Sequence, residues 1–373
     1  MNYILLLLAS FLLAAYLGKK IIPGVLVVAH HKNLFDLPDE RKVHDRPIPR
    51  LGGVTFFPVI IFVMALICLL QFSFSPLKGG FFSANSISEF LGMIAGLTLL
   101  YVIGIGDDLV GVRYSRKFLI QIIAALLIPL SGLYINNFYG LFGLHDIPVF
   151  IGIPLTVLLT VFVTNAINLI DGIDGLASGL CIVALGMFGV TFGLEGLWMY
   201  ALLAFICVGV IIPFFCYNVF GNIEKEHKIF MGDTGSLTLG YILSLMAIKY
   251  SMYNGEADAV VDGAPLVTAF SVLLVPCLDV CRVVLGRMRR KAHPFKPDRT
   301  HLHHKFLQMG FTARRSLVLI QVMAITFIVV TYLLIYIGMP ANVVFVFDLL
   351  IWTLLNIWFT MIIQKKNKGS SSL

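Results

Sequence analysis

The chain has 373 residues, of which 59% are hydrophobic and only 13% are charged, and its formal net charge is +7. Soluble domains carry about a quarter charged residues, so this composition excludes a cytosolic enzyme, a disordered chain and a disulfide scaffold. A polytopic membrane protein remains. The excess of basic residues indicates orientation in the membrane and argues against a nucleic-acid partner.

Eleven apolar segments follow one another along the chain, each near the roughly 20 residues that cross a bilayer. They lie near residues 3–18, 53–73, 87–105, 118–135, 148–165, 174–193, 197–216, 234–249, 265–284, 316–337 and 342–363. Lys19 and Lys20 follow the first segment rather than precede it, which predicts a retained helix and not a cleaved signal peptide. With the N-terminus outside, 25 of the 27 Lys and Arg residues fall on the cytoplasmic side, all except Lys78 and Lys249.

The sequence therefore predicts an all-α polytopic membrane protein with about 11 transmembrane helices, an outside N-terminus and a cytoplasmic C-terminus. In this interpretation, residues 1–373 form a single transmembrane catalytic domain and residues 364–373 form a disordered cytoplasmic tail. The six cysteines form no CxxC pair, so the sequence predicts neither a disulfide framework nor a zinc site built on them.

Two motifs place carboxylates at the cytoplasmic ends of predicted helices. In GIGDDLVGVRYSRK, residues 104–117, Asp107 and Asp108 are adjacent, and like charges this close attract a cation or raise one pKa. In KIFMGDTGSLTLG, residues 228–240, Asp233 lies at a helix start, where backbone N–H groups bind phosphate and a carboxylate can hold Mg²⁺. The alternatives are a polar helix end in water for the first motif and a simple helix cap for the second.

The motif NAINLIDGIDGLASG, residues 165–179, combines amides and carboxylates without a neighbouring cation. A plain loop between two apolar spans rarely has this composition. Its polar residues, spaced three apart and on one helix face as far as the helix continues, are Asn165, Asn168, Asp171 and Asp174. Gly175 permits a close backbone approach next to them.

Two basic loops complete the polar surface. In RKVHDRPIPRLGG, residues 41–53, two prolines prevent a continuous helix, and Arg46 and Arg50 would face anions. HPFKPDRTHLHH, residues 293–304, lies in the most basic loop and offers donors suited to a pyrophosphate. Its cationic and imidazole donors, with the lysine that follows, are Lys296, Arg299, His301, His303, His304 and Lys305. A solvated basic loop is the alternative for both, and a zinc site would need a Cys or carboxylate at a known spacing.

Together these motifs supply the groups needed for Mg²⁺-dependent phosphoryl transfer, and the membrane setting indicates that one substrate is a lipid. A nucleotide-sugar or ion transporter is a different interpretation. Transporters place polar sites near mid-bilayer, whereas the spans here are nearly free of charge, with Asp279 and Asp348 as exceptions. A non-catalytic lipid-binding scaffold is a third interpretation, which leaves the acidic motifs unexplained.

On GIGDDLVG, NLIDGIDGLASG, IFMGDTGSLTLG and PDRTHLHH, the chain resembles the polyprenyl-phosphate N-acetylhexosamine-1-phosphate transferases, glycosyltransferase family 4, over residues 41–310. The resemblance implies transfer of the sugar 1-phosphate from a UDP-N-acetylhexosamine to undecaprenyl phosphate, with release of UMP, at the cytoplasmic face of a bacterial inner membrane. This would be the first membrane step of a cell-envelope polysaccharide pathway. The spacing of the histidines is closer to WecA- and TagO-like members than to MraY-like pentapeptide-sugar transferases, so UDP-GlcNAc is the expected donor. Family members often form homodimers.

The resemblance also implies residue roles. Asp233 is the expected Mg²⁺ ligand, with Asp107 and Asp108 beside it as the catalytic pair, and Mn²⁺ is expected to substitute for Mg²⁺. Catalytic roles at the pyrophosphate are expected for His301, His303 and His304. Substrate contacts, with Asp174 near uracil and Phe230 stacked on the base, are expected from Arg46, Asn165, Asn168, Asp171, Asp174, Gly175, Asn218, Phe230 and Arg299. The first loop departs from the family because a lysine that some members use has no clear equivalent, and Arg46 is the candidate substitute. Direct attack and a two-step path through Asp107 or Asp108 both remain open.

Overall fold

The computed structural model describes residues 3–36, 47–74, 84–253, 263–293 and 300–370. Helices account for most of this part of the chain. They are α1 Tyr3–His31, α2 Phe56–Phe74, α3 Ala84–Val110, α4 Tyr114–Leu130, α5 Val149–Ile170, α6 Leu176–Leu194, α7 Trp198–Phe220, α8 Gly232–Ser251, α9 Ala264–Arg289, α10 Leu302–Met309, α11 Ala313–Tyr336 and α12 Ala341–Ser370. Two short strands, β1 Phe35–Asp36 and β2 Ile48–Pro49, pair antiparallel.

Each of the eleven predicted spans coincides with one of these helices, which confirms the all-α polytopic fold class. Among the described residues, nine helices are long and apolar enough to cross a membrane. The two other helices at predicted spans are α4, which has only 17 residues, and α8, which is rich in Gly, Ser and Thr. The count of eleven and the orientation of the termini stay predictions. Helix α10, a short helix next to the histidines, was not among the predicted spans.

Helix α8 forms the centre of the bundle and packs against α3 and α5. Its residues 234–248 are all buried, so it has almost no lipid-facing surface. Several of its hydroxyls bond within the helix, as when Thr238 donates to the Thr234 carbonyl at 2.7 Å. Small residues permit the close contact, since a Cβ at Gly240 would lie 2.7 Å from the Thr164 Cα of α5. Polar composition in α8 therefore reflects a helix surrounded by protein.

A buried ion pair joins α3 and α8 at the end of the bundle opposite the acidic motifs. The Lys249 Nζ at the end of α8 lies 2.8 Å from Glu89 Oε1 of α3, and both side chains are largely buried. Tyr200 donates its hydroxyl to the other Glu89 oxygen, and the Lys249 ammonium lies 4.9 Å from the Tyr200 ring centroid. Lys249 is one of the two cations predicted outside, and this carboxylate neutralises its charge.

Helix α12 continues to Ser370, so most of the segment 364–373 predicted as a disordered tail is helical as far as the structure describes it. Two lysines tie this helix to α10. Lys305 donates to Asn356 and Thr360, and Lys366 donates to the Gln308 carbonyl. Gln and Lys are also good helix formers, which favours continuation of the helix beyond its apolar part.

Candidate active site

The sequence motifs meet at one end of the bundle, where β2 fixes the start of α8. The Phe230 N–H donates to the Pro49 carbonyl at 2.7 Å, and the Gly52 N–H donates back to the Phe230 carbonyl at 2.9 Å. The two segments approach so closely that a Cβ at Gly53 would lie 2.2 Å from the Gly235 Cα. Glycine at position 53 is therefore needed to bring the PRLGG loop onto the GDTG motif.

Asp108 holds the first turn of α8. Its Oδ1 accepts from the Asp233 N–H at 2.7 Å, and its Oδ2 accepts from the Thr234 N–H at 3.0 Å and from the Thr234 hydroxyl at 2.6 Å. The side chain has no exposed surface. Both oxygens are thus committed to the positive end of a helix, in the manner of a capping residue contributed by another segment. This capping differs from the predicted metal role of Asp108.

Asp107 and Asp233 face each other across a lysine. The Lys117 Nζ lies 2.9 Å from Asp107 Oδ2 and 2.9 Å from Asp233 Oδ1. Asn168 also donates to Asp233 Oδ1, and Arg50 Nη2 lies 3.6 Å from Asp233 Oδ2. The Asp233 carboxylate is therefore oriented by Lys117 and Asn168, with the charge of Arg50 nearby, while 16% of its side chain remains exposed.

Asp107 and Asp233 suit a Mg²⁺ site in which substrate phosphates supply the remaining ligands. Mg²⁺ is usually held by one or two carboxylates together with substrate phosphates, rather than by a cage of protein ligands alone. In the described part of the chain, no cluster of three or more His, Cys, Asp or Glu residues could hold a metal. Asp107 and Asp233 already enclose a positive charge, so their donor set fits Mg²⁺, whereas both oxygens of Asp108 are occupied.

Asn218 holds the DGIDG segment in place through hydrogen bonds to the backbone. The Gly175 N–H donates to Asn218 Oδ1 at 2.6 Å, and Asn218 donates to the Ile229 carbonyl at 2.8 Å. Gly175 has a φ of 76°, a left-handed conformation that favours glycine. Asn218 thus joins two motif segments by backbone contacts. Lys228, from the same segment as Ile229, lies 2.6 Å from Asp174 Oδ2.

Asp171 ends α5 and is exposed to solvent. Desolvation by the surrounding protein, and then the negative charges of Asp233 and Asp174, raise the pKa of Asp171 to about 7. Negative charge from Asp233 and Asp174 is therefore concentrated around Asp171. Such a site attracts cations and the cationic side chains that bind phosphates.

Asn165 does not join this cluster. Its amide donates to Gln121 Oε1 of α4 at 2.7 Å and to the Val161 carbonyl at 2.8 Å. The spacing of three correctly places Asn165 on the same face as Asn168, but it lies one turn deeper in the bundle. There it connects α5 to α4, and its amide is committed to packing.

The histidine segment is anchored by a carboxylate of α9. Asp279 is fully buried, and its Oδ2 lies 2.8 Å from His301 Nδ1. The Leu302 N–H and Arg282 donate to its other oxygen, at 3.0 and 2.6 Å. Arg282 also donates to the Thr300 carbonyl. The sequence predicts Asp279 as a packing or helix-end residue near the inner face, and in the structure it fixes the position of His301.

His303 packs against the DGIDG segment. Its ring is buried between His301 and His304 and lies against Gly172, where a Cβ would be 2.3 Å from two ring atoms. Burial, and then the charges of His304 and His301, lower the pKa of His303 to about 3. His303 is thus neutral at physiological pH. Within the described residues its buried Nδ1 has no hydrogen-bond partner.

The substitution Gly172→Ala tests this contact. The added methyl group would displace His303 and separate the histidine segment from the DGIDG segment, and misplacement by about 1 Å can cost about 10²-fold in rate. We expect a loss of this size in kcat/KM for the transfer that the family resemblance implies, with little change in Tm. Gly186→Ala, which places its methyl in open space, is the matched control. Full activity in Gly172→Ala would contradict the proposed packing.

The site also contains two cations that the sequence did not single out, Lys117 and Lys228, and both pair with carboxylates. Arg50, which the sequence predicted to face anions together with Arg46, lies near Asp233. Arg46 and Arg299 lie outside the described residues. The sequence could have indicated Lys117, because Asp107 and Asp108 lie at the end of an apolar helix and such carboxylates need a neighbouring cation.

The fold and site define a membrane-embedded helical protein with an acidic, cation-neutralised centre at one end of the bundle. Residues 90–251 match the family described as glycosyl transferase family 4. The chain is 31% identical over 328 residues to a probable undecaprenyl-phosphate N-acetylglucosaminyl 1-phosphate transferase of Bacillus subtilis, covering 86% of this chain and 83% of the relative. The chain belongs to glycosyl transferase family 4.

Two further relatives have related names. A decaprenyl-phosphate N-acetylglucosaminephosphotransferase of Mycolicibacterium smegmatis is 32% identical over 300 residues, which is 76% of this chain and 71% of the relative. An undecaprenyl-phosphate alpha-N-acetylglucosaminyl 1-phosphate transferase of Escherichia coli K12 is 28% identical over 302 residues, 80% of this chain and 75% of the relative. These names confirm the family resemblance and favour the WecA- and TagO-like branch over the MraY-like alternative.

Proposed function

We propose that this enzyme transfers N-acetylglucosamine 1-phosphate from UDP-GlcNAc to undecaprenyl phosphate and releases UMP, at the cytoplasmic face of a bacterial inner membrane. The names of the relatives support the transferred group and the acceptor, whereas UDP-GlcNAc as the donor follows from the family resemblance. The observation that carries the proposal is the pair of carboxylates, Asp107 and Asp233, held around a cation at the end of the bundle where the motifs meet. A homodimer stays a prediction.

The proposed reaction is a direct displacement. An oxygen of the lipid phosphate forms a bond to the sugar-linked phosphorus, and the bond from that phosphorus to the oxygen of UMP breaks. Positioning and charge stabilisation can carry such a phosphoryl transfer without a covalent intermediate. Trapping of a phospho-aspartate on Asp107 or Asp108 during turnover would contradict this route.

Each part of the site has a role in this scheme. Mg²⁺, when bound by Asp107 and Asp233, would supply positive charge to the pyrophosphate. Asn168 orients Asp233, and Arg50 and Lys117 add cationic donors beside it. Asp171, Asp174 and Phe230 are proposed to contact the nucleotide. The three histidines, of which His301 is positioned by Asp279, are proposed to contact the pyrophosphate and sugar.

The test of the function is transfer of labelled GlcNAc 1-phosphate to undecaprenyl phosphate by purified protein with Mg²⁺, with UMP measured in the same reaction. A panel of UDP-GlcNAc, UDP-GalNAc and UDP-N-acetylmuramoyl-pentapeptide identifies the donor. We expect UDP-GlcNAc to be used best. Movement of intact UDP-GlcNAc into vesicles without UMP release would instead support a transporter.

The substitution Asp233→Ala should abolish Mg²⁺-dependent turnover, by more than about 10³-fold, because it removes the carboxylate proposed to hold the charge-stabilising cation. The protein should remain folded, since the backbone of residue 233 still donates to Asp108. Asp146→Asn, at an exposed carboxylate at the opposite end of the bundle, is the control. Normal turnover of Asp233→Ala would remove this residue from the site.

A further inference from the structure

Lys117 stands where a divalent cation would be expected. Its ammonium group contacts both Asp107 and Asp233, at 2.9 Å from one oxygen of each carboxylate. Only 12% of the Lys117 side chain is exposed. The two oxygens are therefore less than about 6 Å apart, a separation at which like charges repel strongly. Without a cation between them, Asp107 and Asp233 could not both stay ionised at low cost.

We propose that Lys117 is a placeholder for the metal: its ammonium group occupies the cation position between Asp107 and Asp233 in the metal-free protein and leaves when a divalent cation binds. The inference rests on the proposed metal-dependent function and deepens it. Lys117 and the metal compete for the same carboxylate oxygens, because Mg²⁺ must approach them to about 2.0–2.1 Å. The lysine then meets the negative charge of the substrate phosphates instead.

The carboxylates are built to stay in place when the lysine leaves. The Val112 N–H donates to the other oxygen of Asp107 at 2.6 Å. Asp233 keeps its bond from Asn168, and its backbone is held by Asp108. Each carboxylate thus has an anchor independent of Lys117, so removal of the ammonium does not require the site to rearrange.

The lysine itself is able to move. Lys117 lies in the first turn of α4, at the edge of the bundle, and reaches the carboxylates with a flexible four-carbon stem. Rotation about its side-chain bonds can move the ammonium by several ångströms while the helix stays fixed. An arginine fork at this position would be harder to displace, because it can bind a carboxylate with two parallel bonds.

The test measures metal binding without substrate. Wild-type protein, Lys117→Met and the control Arg116→Met, whose cation is exposed in the same helix turn, are purified in detergent and titrated with MgCl₂ by thermal shift. Mn²⁺ binding is followed separately by electron paramagnetic resonance. We expect Lys117→Met to have a lower Tm than wild type in EDTA, a larger rise with Mg²⁺ and an affinity at least about fivefold tighter, since the competing cation is gone. Arg116→Met should match wild type.

Equal or weaker affinity in Lys117→Met, or binding to neither protein, would overturn the proposal. Lys117→Gln provides a second variant if the methionine variant does not fold. Transfer activity of the wild type is measured in the same preparation and separates the two hypotheses. Transfer without tighter binding in the variant would overturn only the placeholder role, whereas tighter binding without transfer would overturn only the proposed function.

Discussion

Asp108→Asn is expected to lower transfer by about 10²-fold or more and to lower Tm, although Asp108 would contact neither metal nor substrate. Asparagine offers one acceptor oxygen where three donors from Asp233 and Thr234 converge on two. Its amide N–H₂ would face another donor, and a buried donor left unsatisfied costs about 1–3 kcal/mol. The first turn of α8 would shift, and with it the carboxylate of Asp233.

The comparison with Asp107→Asn makes this prediction specific. Asp107 shares the cation, so its substitution should weaken Mg²⁺ affinity, whereas folded Asp108→Asn should retain most of that affinity. Thermal melting in EDTA and Mg²⁺ titration of both variants check the difference. A variant Asp108→Asn that melts like wild type in EDTA but no longer binds Mg²⁺ would identify Asp108 as a metal ligand instead.

Lys249→Met should destabilise the protein by about 3–5 kcal/mol, because it leaves the carboxylate of Glu89 buried without its counter-charge. The Tyr200 hydroxyl remains as a donor to Glu89 but supplies no positive charge. Thermal melting in detergent measures the loss. Because the ion pair lies at the end of the bundle opposite the site, kcat per folded molecule should change little.

Two further variants control this measurement. Lys19→Met removes an exposed lysine of α1 and should leave Tm close to that of wild type. The double variant Glu89→Gln with Lys249→Met removes both charges and should recover part of the lost stability. If Lys249→Met and Lys19→Met melt at the same temperature, the buried pair does not stabilise the bundle.

Much of this architecture could be predicted from the sequence, because the bilayer imposes a length and a composition on each helix. The polar motifs stood out for the same reason, since carboxylates at the ends of apolar spans are costly without a function. Asp233 and Asn168, which the sequence placed in one site, are in direct contact. Their contact depends on helix packing, but their motifs marked each of them independently.

The separate roles of Asp107 and Asp108 could not be predicted in the same way. Neighbouring residues on a helix do not face each other, so one carboxylate points toward the cation and the other toward the start of α8. Whether Asp107 or Asp108 points toward the cation depends on how α3 packs against α8. Asp279 and His301 are likewise 22 residues apart in the chain and meet only through tertiary packing.

Helix α8 also constrains how the protein enters the membrane. A segment that begins with Gly-Asp-Thr-Gly-Ser and interrupts its apolar residues with Thr, Gly and Ser partitions into lipid less favourably by itself than the other spans. It must therefore insert together with α3 and α5, whose surfaces cover it. Insertion and folding of this region are therefore one cooperative event. Substitutions that loosen the packing around α8 should consequently reduce the amount of protein that reaches the bilayer before they affect the chemistry.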